Sequence, residues 1–168
     1  VGKLKEIEDF SGRKIQFEYD YYDREKKIPR DLISVTDPAG RTVRYTYSSG
    51  FPEDRNELNH NLLTVTDAKG QTYLKNTYSI YDRVIKQTFG DEGTFLMEYN
   101  QVASSPDCTP DIIAKVFYRT QVTDRIGNKM DYTFNCQGNP LQIIRYTRGL
   151  RAGDPAKYVT QYAYDKDG

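Results

Sequence analysis

The chain has 168 residues, with 24 lysines and arginines against 24 acids, and is 37% apolar, below the ~45–50% usual for globular domains. Zero net charge removes the electrostatic pull expected of a nucleic-acid or anionic-membrane binder. No apolar run approaches the ~18 residues of a membrane-spanning helix, and a mean hydropathy of −0.79 argues against the outward face of a membrane barrel. Of the aromatics, 15 are tyrosine and 7 phenylalanine, with no tryptophan. Tyrosine with threonine, valine and isoleucine favours a pleated, half-buried surface where the ring packs and the hydroxyl stays wet.

The first element is I-E-D-F-S-G, Ile7 to Gly12. It reads as a turn: Asp9 bonds forward to the backbone and Gly12 takes the positive φ that other residues resist. Beyond it Ile15, Phe17 and Tyr19 alternate with Lys14, Gln16 and Glu18, the period-two signature of a strand with one dry and one wet face. A polar insert, Tyr21 to Asp31, contains the charged run Arg24 to Lys27 and is read as a surface loop. Ile33 and Val35 open the next strand, and V-T-D-P-A-G places a second turn on Asp37 and Gly40, with Pro38 pre-setting φ. Val43, Tyr45 and Tyr47 alternate next, followed by a looser turn, Tyr47 to Gly50, and a second insert, Phe51 to Asn61. Within Glu53 to Leu62 there is room for one helical turn.

Leu63 and Val65 lead into V-T-D-A-K-G, with Asp67 and Gly70. The following strand breaks the alternation, because Tyr73 precedes Lys75 and Thr77, so a bulge or register shift is expected there. G-D-E-G at Gly90 to Gly93 is read as a degenerate copy, before Phe95, Met97 and Tyr99. A third insert spans Gln101 to Asp111. V-T-D-R-I-G then supplies Asp124 and Gly127, and Met130, Tyr132 and Phe134 form a dry face against Lys129, Asp131 and Thr133. F-N-C-Q-G at Phe134 to Gly138 and Y-A-Y-D-K-D-G at Tyr162 to Gly168 read as further turns, separated by an insert from Arg148 to Lys157. The glycines Gly12, Gly40, Gly70, Gly93 and Gly127 are 28, 30, 23 and 34 residues apart. Such a period identifies a repeat array: about five hairpins, one array over 1–168. Beginning at Val1 without a leader, the chain is expected to be an excerpt of a longer or processed protein.

Chemistry-bearing constellations are scarce. His60 is the one histidine, no G-x-S-x-G occurs, and Cys108 and Cys136 lie 28 residues apart without a metal-ligand spacing. His60 is expected to be a solvated loop residue and the cysteines free thiols, with one disulfide as the alternative in an oxidising compartment; no catalytic, cofactor or metal site is expected. The acid pairs Glu53 with Asp54 and Asp91 with Glu92 sit in loops and turns, and Asp165, Asp167 and Gly168 fit a turn better than a calcium loop. The tyrosine rows are first a packing pattern. A ligand contact falls instead on rings outside the alternation: Tyr21, Tyr22 and Phe51.

The units V-T-D-x-x-G-x-x-x-x-Y-x-Y/F and the closing Y-A-Y-D-K-D-G resemble the RHS, or YD-repeat, family over about Leu4 to Gly168. The inserts are longer than that pattern has, and the usual Gly-Arg-Leu after the second turn is seldom present. The resemblance implies an all-β fold of repeated antiparallel hairpins in one long curved sheet, a segment of a spiral shell. It implies a secreted or cell-surface structural protein, not an enzyme, that encloses or displays a toxin or effector domain. Neighbouring repeats would be its partners, and open strand edges would promote self-association. The alternative is an adhesin-type module that binds glycans or a protein. About ten strands at ~4.8 Å make a sheet ~48 Å wide, and a twisted sheet of that width must curl or split.

Overall fold

A computed structural model describes residues 2–23, 28–103, 115–149 and 152–165, without the side chains of residues 22, 23, 28 and 29. The chain divides into two compact units, Val1–Glu92 and Gly93–Gly168. Unit 1 holds β1 (Glu6–Glu8), β2 (Lys14–Asp23), β3 (Ile28–Thr36), β4 (Thr42–Tyr47), a 3-10 helix (Glu53–Leu58), β5 (Leu62–Thr66), β6 (Thr72–Tyr78) and β7 (Val84–Phe89). Unit 2 holds β8 (Thr94–Gln101), β9 (Tyr118–Thr123), β10 (Lys129–Phe134), β11 (Pro140–Tyr146) and β12 (Lys157–Gln161). In each unit the spatial order of strands is their order in the chain, and the strands pair antiparallel. The fold is all-β and built of hairpins.

The alternation read from the sequence sets which side chains meet. In unit 1 Phe17 lies opposite Val35 and Val35 opposite Val43. Tyr45, Val65, Leu74 and Phe89 form a second ladder across four strands. Val65, at its centre, is 5% exposed. Cross-strand hydroxyl pairs run on the other face, with Oγ1 atoms 2.9 Å apart in Thr36–Thr42, 2.6 Å in Thr46–Thr64 and 3.0 Å in Thr66–Thr72. Among the described residues only Leu58, Val65 and Phe117 are buried apolar residues. Among the described residues, neither unit contains a second layer of secondary structure to cover its sheet.

One feature recurs with the repeat that period-two reading does not anticipate. Opposite β2, β4, β6 and β10 the following strand carries one extra residue, whereas β8 and β9 pair without one. Glu18 and Tyr19 face Ser34 and Leu32, skipping Ile33. Thr46 and Tyr47 skip Leu63, Thr77 and Tyr78 skip Ile85, and Thr133 and Phe134 skip Leu141. Each is a β-bulge, which bends the strand and raises its local twist. The shift expected after Gly70 is also there: Val65 and Thr66 face Leu74 and Thr72, leaving Tyr73 as the extra residue. This turns Leu74, Asn76 and Tyr78 inward in place of Tyr73, Lys75 and Thr77.

One insert and one turn differ from their reading. Tyr21 to Asp31 is largely strand, since β2 runs to Asp23 and β3 begins at Ile28. Tyr47 to Gly50 is not a tight turn but the mouth of a loop closed by Ser48 N–H donating to Asn61 O at 2.9 Å, and the helical turn within it is the 3-10 helix. Gln101 to Asp111 falls mainly outside the described residues, as does the end of the Tyr162–Gly168 turn.

Candidate functional site

The turns share one construction. Asp9 Oδ1 accepts from the N–H of Ser11 at 2.9 Å and of Arg13 at 3.1 Å, while Gly12 N–H donates to Asp9 O at 2.9 Å. Asp37 does the same with Ala39, Arg41 and Gly40, Asp67 with Lys69, Gln71 and Gly70, and Asp124 with Ile126, Asn128 and Gly127. The four glycines have φ between 77° and 83°. This is a type I turn followed by a left-handed bulge residue, one of the commonest three-residue hairpin loops. The side chain replaces the backbone acceptors that the turn lacks.

Hydrogen bonds from the Ser11 and Arg13 side chains hold the Asp9 carboxyl down at about 2. The Arg41 side chain lowers Asp37 in the same way. At Asp124 burial acts to raise the carboxyl, and the bonds from Asn128 and Ile126 with the Arg148 charge together outweigh it.

Two more turns follow the plan with different residues, and a third keeps only its backbone. Asn135 Oδ1 accepts from Gln137 and Asn139 N–H, with Gly138 at φ 85°. Ser79 Oγ takes the aspartate's place, with Asp82 at φ 57°. The degenerate copy is shifted by one residue from its reading: Glu92 N–H donates to Phe89 O, and Glu92 holds the left-handed position at φ 64°. The turn is therefore Phe89–Glu92, not Gly90–Gly93. Gly90 serves a different purpose, since a Cβ there would meet the Tyr73 Cα of the bulge at 3.3 Å.

Tyrosine hydroxyls expected to be wet are tied down. Tyr19 donates to Leu4 O at 3.0 Å, Tyr47 to Leu32 O at 2.9 Å, Tyr78 to Leu62 O at 3.1 Å and Tyr164 to Pro140 O at 2.8 Å. Burial raises the Tyr47 and Tyr78 phenols.

Among the rings proposed for ligand contact, Tyr21 lies in β2 at 37% exposed and Phe51 in the β4–β5 loop at 44%. The Tyr22 side chain is outside the described set. Tyr21 and Phe51 do not converge. Phe51 lines a groove of about 280 Å3 with Leu58, Leu63, Tyr78 and Ile80, and Tyr21 has no part in it. The loop that carries Phe51 is pinned. Phe51 N–H donates to Asn59 Oδ1 at 3.1 Å, Asn59 Nδ2 donates back to Phe51 O at 3.1 Å, and Ser48 Oγ donates to Leu58 O at 2.6 Å. Arg55 Nη2 donates to Ile80 O, and Asn61 Nδ2 to Asp82 Oδ1 at 2.6 Å, joining loop to turn.

Three expectations need correction. His60 is not simply solvated: its Nδ1 lies 2.7 Å from Asp31 Oδ2, it is one-third exposed, and it holds φ 68°. Asp131, assigned to the wet face, is 2% exposed. It accepts from Arg119 Nη2 at 2.5 Å, Tyr146 Oη at 2.8 Å and Gln121 Nε2 at 2.9 Å, from side chains that fold over it from β9 and β11. Burial pushes its carboxyl up, and these three bonds outweigh burial and leave it below its usual value. Cys136 is disulfide-bonded rather than a free thiol; the chain's other cysteine, Cys108, lies outside the described residues.

Among the described residues no group of three or more histidines, cysteines and acids gathers as a metal site, and no helix is long and apolar enough to cross a membrane. Neither a protein-family model nor a curated protein sequence matches the chain.

Proposed function

We propose that the chain is a wall segment of an RHS/YD-type repeat protein, secreted or at the cell surface, which encloses or displays a toxin or effector domain. The observation that carries this reading is that, among the described residues, each unit is a one-layer meander with strands in chain order and almost no buried apolar side chains. A globular domain packs a second layer over its sheet. A wall instead leaves each hairpin leaning on its two neighbours, as repeat arrays do. The side-chain-capped turn, the following bulge and the tyrosine tie return with the repeat, so the unit is structural rather than a catalytic constellation on a scaffold. The disulfide at Cys136 fits an oxidising compartment. The five residues of β12 are all exposed, Tyr158 and Val159 among them, and suit pairing with a further strand, whereas short β1 is guarded by Glu6 and Glu8.

Small-angle X-ray scattering over a dilution series tests the reading. A compact chain of this length has a radius of gyration of about 15 Å. A wall segment is expected well above that value at infinite dilution and to associate as concentration rises. A concentration-independent value near 15 Å would overturn the proposal.

A further inference from the structure

We propose that the groove beside Phe51 binds one neutral sugar ring, a function beyond that of a wall. Its volume, about 280 Å3, lies just below the ~300 Å3 at which drug-sized sites begin, a size for a single ring. No charged side chain lines it. Two charged side chains bond to lining residues and are already paired, Arg55 with Ile80 O and Glu57, and Asp82 with Asn61. A charged ligand therefore finds no counter-ion in the groove and would be desolvated without compensation.

The groove has an apolar wall and a polar lip. Phe51 and Ile80 stand 44% and 64% exposed above a floor made by Leu58, itself 7% exposed. An aromatic face beside an aliphatic one suits the C–H face of a pyranose. On the lip, Asn61 spends its Nδ2 on Leu58 O and Asp82, while its Oδ1 has no hydrogen-bond partner among the described residues. An apolar peptide side chain would cover that oxygen without pairing it, at the cost of an unmade hydrogen bond. A ring bearing hydroxyls pairs it. Six hydrogen bonds or ion contacts already fix the loop, from Ser48 and Phe51 through Arg55 to the His60–Asp31 contact. Little ordering entropy remains to be lost on binding.

The test is an array of neutral, sialylated and sulfated glycans probed with the intact chain, followed by titration of the best glycan and of p-cresol, an aromatic side-chain analogue. Binding to glycans that end in a neutral hexose or N-acetylhexosamine is expected, weakened at least tenfold by Phe51→Ala. Phe10→Ala removes a fully exposed ring on the Asp9–Gly12 turn and is expected to leave binding unchanged. Both rings are exposed, so thermal melts of the two variants should match the parent and separate lost binding from lost fold. An array without neutral-glycan signal overturns the proposal, as does signal that survives Phe51→Ala or prefers charged glycans. Phe51-dependent binding of p-cresol alone would replace the sugar with a peptide side chain and equally overturn it. The scattering result is independent of each of these outcomes.

Discussion

The turn frame at Phe89–Glu92 can be tested by exchanging left-handed residues. At Gly40 φ is 77° and a Cβ would meet nothing within 4 Å, so Gly40→Ala incurs only the backbone cost. A residue with a Cβ costs about 1–2 kcal/mol in that conformation, and alanine returns about 0.4–1 kcal/mol by restricting the unfolded chain. The net loss expected is about 1 kcal/mol, or ~4–8 °C in Tm if the 92 residues of unit 1 unfold by themselves, and about half that if the chain melts as one. Glu92 holds φ 64°, so Glu92→Gly runs the same balance backwards and should raise stability by about 0.5–1 kcal/mol. Asp82 also has positive φ but accepts a hydrogen bond from Asn61, so Asp82→Gly should give no gain. Gly93→Ala lies one residue beyond the strained position and escapes this backbone cost. Paired melting curves for the four variants read out the order Glu92→Gly, parent, Gly40→Ala. If Glu92→Gly destabilises and Gly93→Ala falls as far as Gly40→Ala, the frame is Gly90–Gly93 and the geometric reasoning is wrong.

Asp131→Asn keeps the shape but loses the charge that Arg119 meets, and should cost about 1–2 kcal/mol; Asp131→Ala, which strands three donors, should cost about 3 kcal/mol, limited because Arg119 and Tyr146 can rehydrate. The folded Asp131 carboxyl lies below its ordinary value, so its contribution is present in full above the unfolded value of about 4 and is lost as pH falls through the folded one. Urea midpoints for the parent and Asp131→Asn should therefore differ at pH 7 and converge in acid; a gap that widens in acid would contradict the assignment. Tyr47→Phe and Tyr78→Phe should each cost about 0.5–1.5 kcal/mol by removing the donor to Leu32 O or Leu62 O, while Tyr81→Phe, at a turn tip and 78% exposed, should change nothing measurable by the same melts.

What the sequence makes legible is whatever one strand and its own turn decide. The D-x-x-G turns and the dry rows Ile15–Phe17–Tyr19 and Val43–Tyr45–Tyr47 need only local chemistry. Asp131 escapes such reading because alternation places it with Lys129 and Thr133, and only register with β9 brings Arg119 and Gln121 over it. The His60–Asp31 contact joins residues 29 apart, from different strands and loops, with no local signal. Two turns are hidden because Asp82 and Glu92 stand where glycine is looked for.

The tyrosine tie, by contrast, leaves a trace in the numbering that period-two reading passes over. Tyr19 reaches 15 residues back to Leu4 and Tyr47 reaches 15 back to Leu32, but Tyr78 reaches 16 back to Leu62. The additional residue is Tyr73, the bulge between Thr72 and Leu74. Had the third copy kept its pairing without the bulge, Tyr78 would stand one position out of phase and point to the opposite face. The insertion and its bulge thus compensate one another, and the tie is kept. Preserving phase in this way is what a stack of hairpins requires if a continuous ladder such as Tyr45–Val65–Leu74–Phe89 is to run through it.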